Sequence, residues 1–145
     1  MYPKPDGAGS GGPISHTARS RDVACARTPA REACAEQISQ AMSTAPTDVR
    51  IFLLEQLAVV GGTKSLATIV TAARSEEDAI QDAATRVLGE WMSADAAPEL
   101  FDLAKTLTNK KYKVRALRGY IRIARQFDVP ARERAEMCRT VLQIA

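Results

Sequence analysis

A helical pattern recurs in this sequence at intervals of 31 and 34 residues. Its most recognisable points are three dipeptides in successive stretches of the chain: Val49-Arg50, Ile80-Gln81 and Val114-Arg115. After each dipeptide, small and apolar residues follow at the three- and four-residue spacings that place side chains on one face of an α-helix. A period of about 30 to 45 residues that contains two helices is typical of an α-solenoid, in which each helix pair buries its apolar side against the neighbouring pairs.

The composition agrees with a thin, layered helical core. Hydrophobic residues make up 46% of the 145 residues, but many of them are alanine and only 5% of the chain is aromatic. Short β-branched runs such as Ile69-Val70-Thr71 lie inside longer helical periods and give no strand signal. We therefore predict an all-α fold, a right-handed α-solenoid of about three helix pairs. The expected helices cover residues 31–42, 48–60, 63–74, 78–91, 96–107 and 110–127, with a last one after Pro130.

The two ends of the chain differ from its middle. Residues 1–20 contain three of the seven prolines and four of the eight glycines, so they lack the apolar surface that would offset the entropy of ordering. We expect a disordered tail over residues 1–20 and a folded domain over residues 21–145. The last expected helix stops at the apolar pair Ile144-Ala145 without a cap. An end of this kind indicates a piece of a longer array, or an end that a partner covers.

Several single positions have an expected place in this array. The second expected helix should turn Val49, Phe52, Leu53, Leu57 and Val60 inward, with Thr47 as its N-cap. Gly61-Gly62 should end that helix as a left-handed C-terminal cap. Trp91 is expected to fill the core. The cysteines, Cys25, Cys34 and Cys138, are expected to be small buried residues without disulfides.

Three of the repeated stretches resemble a known family. Residues 48–50, residues 82–89 (DAATRVLG) and residues 114–117 (VRAL) look like the second helices of HEAT repeats. The resemblance extends over residues 31–145, with Gln81 where the family usually has arginine. Residues 81–98 and 110–127 look in particular like HEAT segments of large bacterial proteins, some of which carry a domain similar to 3-keto-disaccharide hydrolases. This resemblance implies a helical array and no catalytic residues.

The residue types that support catalysis or metal binding are scarce. The single histidine, His16, lies in the expected tail, and the three cysteines form no C-x-x-C pair. Gly61-Gly62 follows no strand and no G-K-[ST] motif follows it, so a helix cap is the preferred interpretation over a phosphate loop. We expect no enzyme activity, no cofactor and no bound metal.

The most distinctive surface feature is a basic ridge on the helix expected over residues 110–127. Its five members fall at i, i+4, i+7, i+11 and i+14: Lys111, Arg115, Arg118, Arg122 and Arg125. Such a ridge permits three interpretations. It can be ordinary surface, it can bind an acidic protein, or it can neutralise phosphates of nucleic acid. In the first case, the expected pairing carboxylates are Glu99, Asp102 and Glu133.

These observations favour a non-catalytic scaffold that binds a protein partner or a neighbouring domain. One alternative is a binder of nucleic acid or another polyanion that uses the basic ridge, although the net charge of +3 is only mildly basic. A second alternative, which rests on the resemblance alone, is an accessory domain of a carbohydrate-active hydrolase. We expect no membrane association and no small-molecule substrate. The cytoplasm is the favoured location, because the chain shows neither a signal peptide nor a transmembrane stretch.

Overall fold

A computed structural model describes the backbone of residues 16–144 and the side chains of residues 29–144. Within that part of the chain the secondary structure is entirely helical, which confirms the all-α prediction. A short 3₁₀ turn, Ala94–Ala96, precedes the fifth helix. The α-helices are α1 (His16–Met42), α2 (Thr47–Val60), α3 (Thr63–Ala73), α4 (Asp78–Gly89), α5 (Ala97–Thr106), α6 (Lys110–Gln126) and α7 (Ala131–Ile144).

The helices pack in chain order as pairs: α1 with α2, α3 with α4, and α5 with α6. The second members of these pairs also contact one another in succession, α2 with α4 and α4 with α6. We call these three helices the second-helix layer. Helix α7 packs on α6 in the place of the first helix of a fourth pair. The predicted α-solenoid of about three helix pairs is confirmed.

Hydrogen bonds between side chains and distant parts of the chain show the same periodicity. In the described part of the chain, every such bond between different helix pairs joins residues 27 to 34 positions apart. This separation equals about one repeat. Each pair is therefore held to its immediate neighbour, as expected for a solenoid.

The core is a thin layer between the helices, built from aliphatic side chains and a few aromatic ones. Trp91 follows the end of α4 and is 4% exposed, which confirms its expected place in the core. Its indole nitrogen donates to Ser93 Oγ at 2.9 Å and to Asp95 Oδ1 at 3.0 Å, so its polar edge is satisfied. The largest fully buried apolar side chains are Tyr112, Leu54, Leu57, Ile69, Ile80, Leu88, Leu100, Leu103 and Ile123.

The inward face predicted for α2 is wrong in part. Leu57 is buried as expected, but Val49 is 44% exposed and Phe52 is 57% exposed. Leu54, which was not among the predicted inward residues, is fully buried. The apolar positions of α2 spread around more of its circumference than the neighbouring helices can cover. The stripe that contains Val49 and Phe52 therefore remains on the surface.

Helix α1 is longer than expected. The sequence predicted a helix over residues 31–42 and left residues 21–28 open as a frayed helix or coil, because Pro29 removes one backbone donor and usually ends a helix. In the structure the helix continues through Pro29 and begins at His16. Residues 16–20, assigned to the tail by their composition, form the first turns of α1. The rest of the expected tail lies outside the described residues.

The end of α2 differs in detail from its prediction. Gly61 has φ 68° and ψ −169°, and Gly62 has φ 89° and ψ 171°. Both values lie outside the left-handed helical region, in a region that only glycine occupies readily. At the other end, Pro46 and not Thr47 occupies the N-cap position, and the Thr47 hydroxyl donates to Glu77 on the following repeat.

The expectation of buried cysteines is wrong for the two whose side chains are described. Cys34 and Cys138 are free and exposed. Both are on helices that have fewer neighbours than those in the centre of the array. The side chain of Cys25 lies outside the described residues.

Candidate functional site

Helix α6, which carries the basic ridge, begins at a well-formed cap. The Asn109 side chain accepts a hydrogen bond from the Lys111 backbone amide at 3.0 Å, as an N-cap asparagine does. The helix then buries one stripe of its surface against α4, α5 and α7. The residues of that stripe are Tyr112, Ala116, Gly119, Tyr120, Ile123 and Ala124. The basic ridge occupies part of the remaining circumference.

Two members of the ridge bind Asp82 on α4. Lys111 Nζ lies 2.5 Å from Asp82 Oδ1, and Arg115 Nη1 lies 3.3 Å from the same atom. Arg115 Nη1 also donates to the Asp82 carbonyl and to Thr85 Oγ1, at 2.9 Å in each case. Arg86, one turn after Asp82, completes the cluster with the i, i+4 pair expected from the sequence.

These cations change the acidity of Asp82. Lys111, followed by Arg86 and Arg115, lowers the pKa of the Asp82 carboxyl from 3.8 to about 2, against the opposing effect of burial. The carboxylate is therefore charged throughout the physiological range. It attaches the first half of α6 to the outer side of α4.

Arg122, a third member of the ridge, binds α4 at the other end of the same interface. Arg122 Nε donates to the carbonyl of Gly89 at 3.0 Å, and its Nη2 donates to the carbonyl of Trp91. These carbonyls lie at and just beyond the end of α4, where helix acceptors lack partners and the helix dipole favours a cation. Arg122 therefore caps α4 from the next repeat.

Tyr112 fixes the beginning of α6 in the same manner. Its hydroxyl donates to Asp78 Oδ1 at 2.6 Å, at the first residue of α4. This bond and burial together raise the pKa of Tyr112 to about 12. The Arg115 guanidinium lies 5.7 Å from the centre of the Tyr112 ring, within the range of a cation–π contact.

The interface between α2 and α4 follows the same design with other residues. Arg50 Nη1 lies 2.8 Å from Glu77 Oε2, immediately before α4, and the Thr47 hydroxyl donates to the second oxygen of that carboxylate. Thus Glu77, just before α4, binds side chains of α2. Asp82, one turn inside α4, binds side chains of α6. The second-helix layer is joined by charged contacts at each step.

The model of the family described as HEAT repeats matches residues 35–119, more than half of the chain. The chain belongs to the HEAT-repeat family. HEAT repeats are commonly protein-interaction scaffolds and generally non-catalytic. No curated protein and no solved structure matches the chain.

The five predicted site residues fall into two groups, those that contact α4 and those that do not. Lys111, Arg115 and Arg122 contact α4, as described above. Arg118 and Arg125 are exposed, and neither forms a salt bridge with the described residues. They alternate with two apolar residues, Val114 and Ile121, at i, i+4, i+7 and i+11. We call these four residues the outer face of α6.

The carboxylates expected to pair with the ridge are not the ones found. Glu99 and Asp102 lie instead beside Arg74, which follows the end of α3, at 3.9 and 2.6 Å. Sequence reasoning missed Asp82 as the acceptor, although one signal was present. Asp82 precedes Lys111 and Arg115 by 29 and 33 residues, which is about one HEAT repeat.

The outer face of α6 is flanked by two shallow grooves. One is lined by Lys110, Val114 and Arg118, together with Lys111 and Arg115. The other is lined by Arg118, Ile121, Arg122, Arg125 and Gln126. Arg118 is common to both grooves and stands at the centre of this surface.

Among the side chains from residue 29 to residue 144, no three potential metal ligands come together. None of the described helices combines the length and the apolarity that crossing a membrane requires.

Proposed function

We propose that this HEAT-repeat domain is a scaffold without catalytic activity that binds protein through the exposed side of its second-helix layer. The observation that carries this proposal is the uneven distribution of exposed large apolar side chains. Val49, Phe52 and Val59 on α2 and Val114 on α6 are exposed, whereas α3, α4 and α5 expose none. The other exposed large apolar side chains are Met92, just after α4, and Leu142 on α7. Of these, Phe52 at 57% and Val59 at 82% exposure are the least covered aromatic and aliphatic side chains of the layer.

Single exposed apolar residues are ordinary on a protein surface, so their concentration is what matters here. Two of the exposed residues, Phe52 and Val59, are seven positions apart and therefore lie on one side of α2. Phenylalanine is enriched in the centre of protein interfaces, because its burial removes a large apolar area from water. An apolar stripe bordered by charged residues is the usual composition of such a surface.

The two other roles considered from the sequence remain predictions. Lys111, Arg115 and Arg122 are engaged with α4, which leaves Arg118 and Arg125 as the ridge cations that form no salt bridge with the described residues and could meet a phosphate backbone. No described contact favours nucleic acid over protein, and the role as an accessory domain of a hydrolase rests on the resemblance alone.

Photo-crosslinking tests the proposal directly. A benzoylphenylalanine is placed at position 52 in the second-helix layer and, as a matched control, at position 71, which is exposed on α3. In cells that naturally make the protein, position 52 should yield a discrete crosslinked protein that position 71 does not yield. An excess of the unlabelled protein should suppress the crosslink, and a Phe52→Asp version of that competitor should not. Equal crosslinking from both positions, or none from position 52, would contradict the proposal.

A further inference from the structure

The three helices of the second-helix layer start at one level and run in the same direction. Thr47 at the start of α2 binds Glu77, just before α4, and Tyr112 near the start of α6 binds Asp78. At the other end, Arg122 of α6 binds the carbonyl of Gly89, the last residue of α4. Residue 47 of α2 is therefore about level with residue 111 of α6, an offset of about 64 positions.

The two outermost helices of this layer carry complementary patterns. Helix α6 presents Val114, Arg118 and Ile121 at i, i+4 and i+7. Helix α2 presents Phe52, Glu55 and Val59, also apolar, charged and apolar, at i, i+3 and i+7. The charges are opposite in sign, and Phe52, Glu55 and Arg118 are all exposed.

The two patterns also lie at matching positions along the helix axis. Three residue pairs can form between the two patterns: Phe52 with Val114, Glu55 with Arg118 and Val59 with Ile121. In the sequence these pairs are offset by 62, 63 and 62 positions. These offsets differ from the internal offset of about 64 by one or two residues, roughly 3 Å along a helix. A two-fold axis parallel to the helices places α2 of one molecule over α6 of another without an axial shift. The same rotation places α6 over α2, so both contacts form together.

We propose that this surface binds a second copy of the same chain and forms a two-fold dimer in which α2 of each protomer packs on α6 of the other. The inference rests on the proposed function, because it uses the second-helix layer as the binding surface and names the partner. Closed two-fold dimers are the commonest symmetric assemblies, and each patch here is met by its complement.

The dimer would account for two features of the single chain: exposed apolar side chains on α2, and an arginine on α6 without a salt bridge to the described residues. Phe52 and Val59 would leave water by packing on Val114 and Ile121, a non-directional apolar gain. Arg118 would gain the carboxylate of Glu55, which also lacks a salt bridge among the described residues. Asp48, seven residues before Glu55, would approach Lys111 at the same offset of 63. In the middle of the interface, α4 presents the Asp82–Arg86 pair, whose charges are already balanced.

A complementation experiment by analytical ultracentrifugation tests the dimer. The wild-type chain should show a concentration-dependent mass that rises toward twice that of one chain, and added salt should weaken the association. Arg118→Glu alone and Glu55→Arg alone should each remain monomeric, because each brings like charges together at both contacts. An equimolar mixture of the two variants should restore the dimer, because opposite charges then meet at both contacts. Arg139→Glu, an exposed reversal on α7, is the matched control and should dimerise as the wild type does.

A wild-type chain that stays monomeric at every concentration would overturn the dimer, as would two charge variants that associate unchanged or a mixture that fails to recover. If the chain is monomeric but position 52 still crosslinks to a different protein, the dimer fails and the proposed scaffold function stands. If the dimer forms and position 52 captures no other protein, the second copy is the partner.

Discussion

Gly119 on α6 lies directly against Gly89 at the end of α4. A Cβ added at position 119 would stand 3.1 Å from the Gly89 Cα and 3.2 Å from Leu100 Cδ1. The absence of a side chain thus lets α6 approach the α4 backbone. A Cβ added at Gly89 would meet nothing closer than Arg115 Cγ at 3.6 Å, an ordinary contact. The two glycines are neighbours, but only at Gly119 would a Cβ make contacts tighter than ordinary van der Waals distance.

We expect Gly119→Ala to destabilise the fold and Gly89→Ala to leave it unchanged or slightly more stable. Alanine gains up to about 1 kcal/mol of helix propensity over glycine. At position 119 this gain is opposed by overpacking against backbone, which costs about 1 to 3 kcal/mol. Urea unfolding followed by the fluorescence of Trp91, the single tryptophan, measures both variants. A Gly119→Ala chain more stable than the Gly89→Ala chain would contradict the close approach.

Arg115→Ala should lower the free energy of unfolding by about 1 to 3 kcal/mol, because it leaves the Asp82 carboxylate with fewer partners and removes a half-buried donor. Arg118→Ala, on the same helix but exposed, is the matched control and should change stability by less than about 0.5 kcal/mol. Both are measured by urea unfolding at low protein concentration. A double-mutant cycle with Asp82→Ala should show coupling for Arg115 and none for Arg118. Equal losses at the two arginines would show that Arg115 acts only through its helix.

The Asp82 cluster should make stability depend on pH in a defined direction. The folded-state pKa is about 2, below the ordinary value of 3.8, so the carboxylate stabilises the fold above pH 4 and loses that effect as pH falls toward 2. The lowered pKa corresponds to about 2 kcal/mol of stability above pH 4. Asp82→Asn should therefore be less stable than wild type at neutral pH, and the difference should shrink between pH 4 and 2. A difference that is constant over this range would exclude the ion cluster as its cause.

The turn between α2 and α3 should tolerate only glycine. Gly61→Ala meets no atom within 4 Å, so any loss of stability at this position reports its φ of 68° alone. We expect about 1 to 3 kcal/mol of destabilisation. Gly62→Ala should lose at least as much, because its Cβ would also stand 2.7 Å from Glu32 Oε1. Thermal unfolding with Gly89→Ala as the control measures these losses. A neutral Gly61→Ala would contradict the described turn.

The repeat spacing predicted the solenoid, the order of its helices and the basic side of α6, because each depends on regular periodicity within the chain. It did not predict which side of a helix a neighbour would cover. Helical periodicity gives the angular position of Phe52, but its exposure depends on whether another helix lies beside it. Similarly, the sequence located Arg115 on the ridge but not its acceptor, since Asp82 is brought near only by the packing of α4 on α6.

Two further positions differ from what local sequence rules lead one to expect. Pro29 normally ends a helix, yet α1 continues through it. Gln81 stands where the HEAT pattern has arginine, and its amide donates to the Ala73 carbonyl at 3.1 Å, so the position still serves a polar contact at a helix end. The Gln81 contact cannot be derived from propensity, because it depends on the packing of α4 beside the end of α3.

The spacing of the hydrogen bonds between repeats has a mechanical consequence. Because these bonds in the described part of the chain reach 27 to 34 residues and no farther, a force applied to the two ends of the array is carried by every junction in series, and the weakest junction opens first. The domain should then behave as a short spring that yields in steps of one helix pair and recoils in the same way. The junction between α4 and α6, fastened by Tyr112 at one end and Arg122 at the other, should be the last to open.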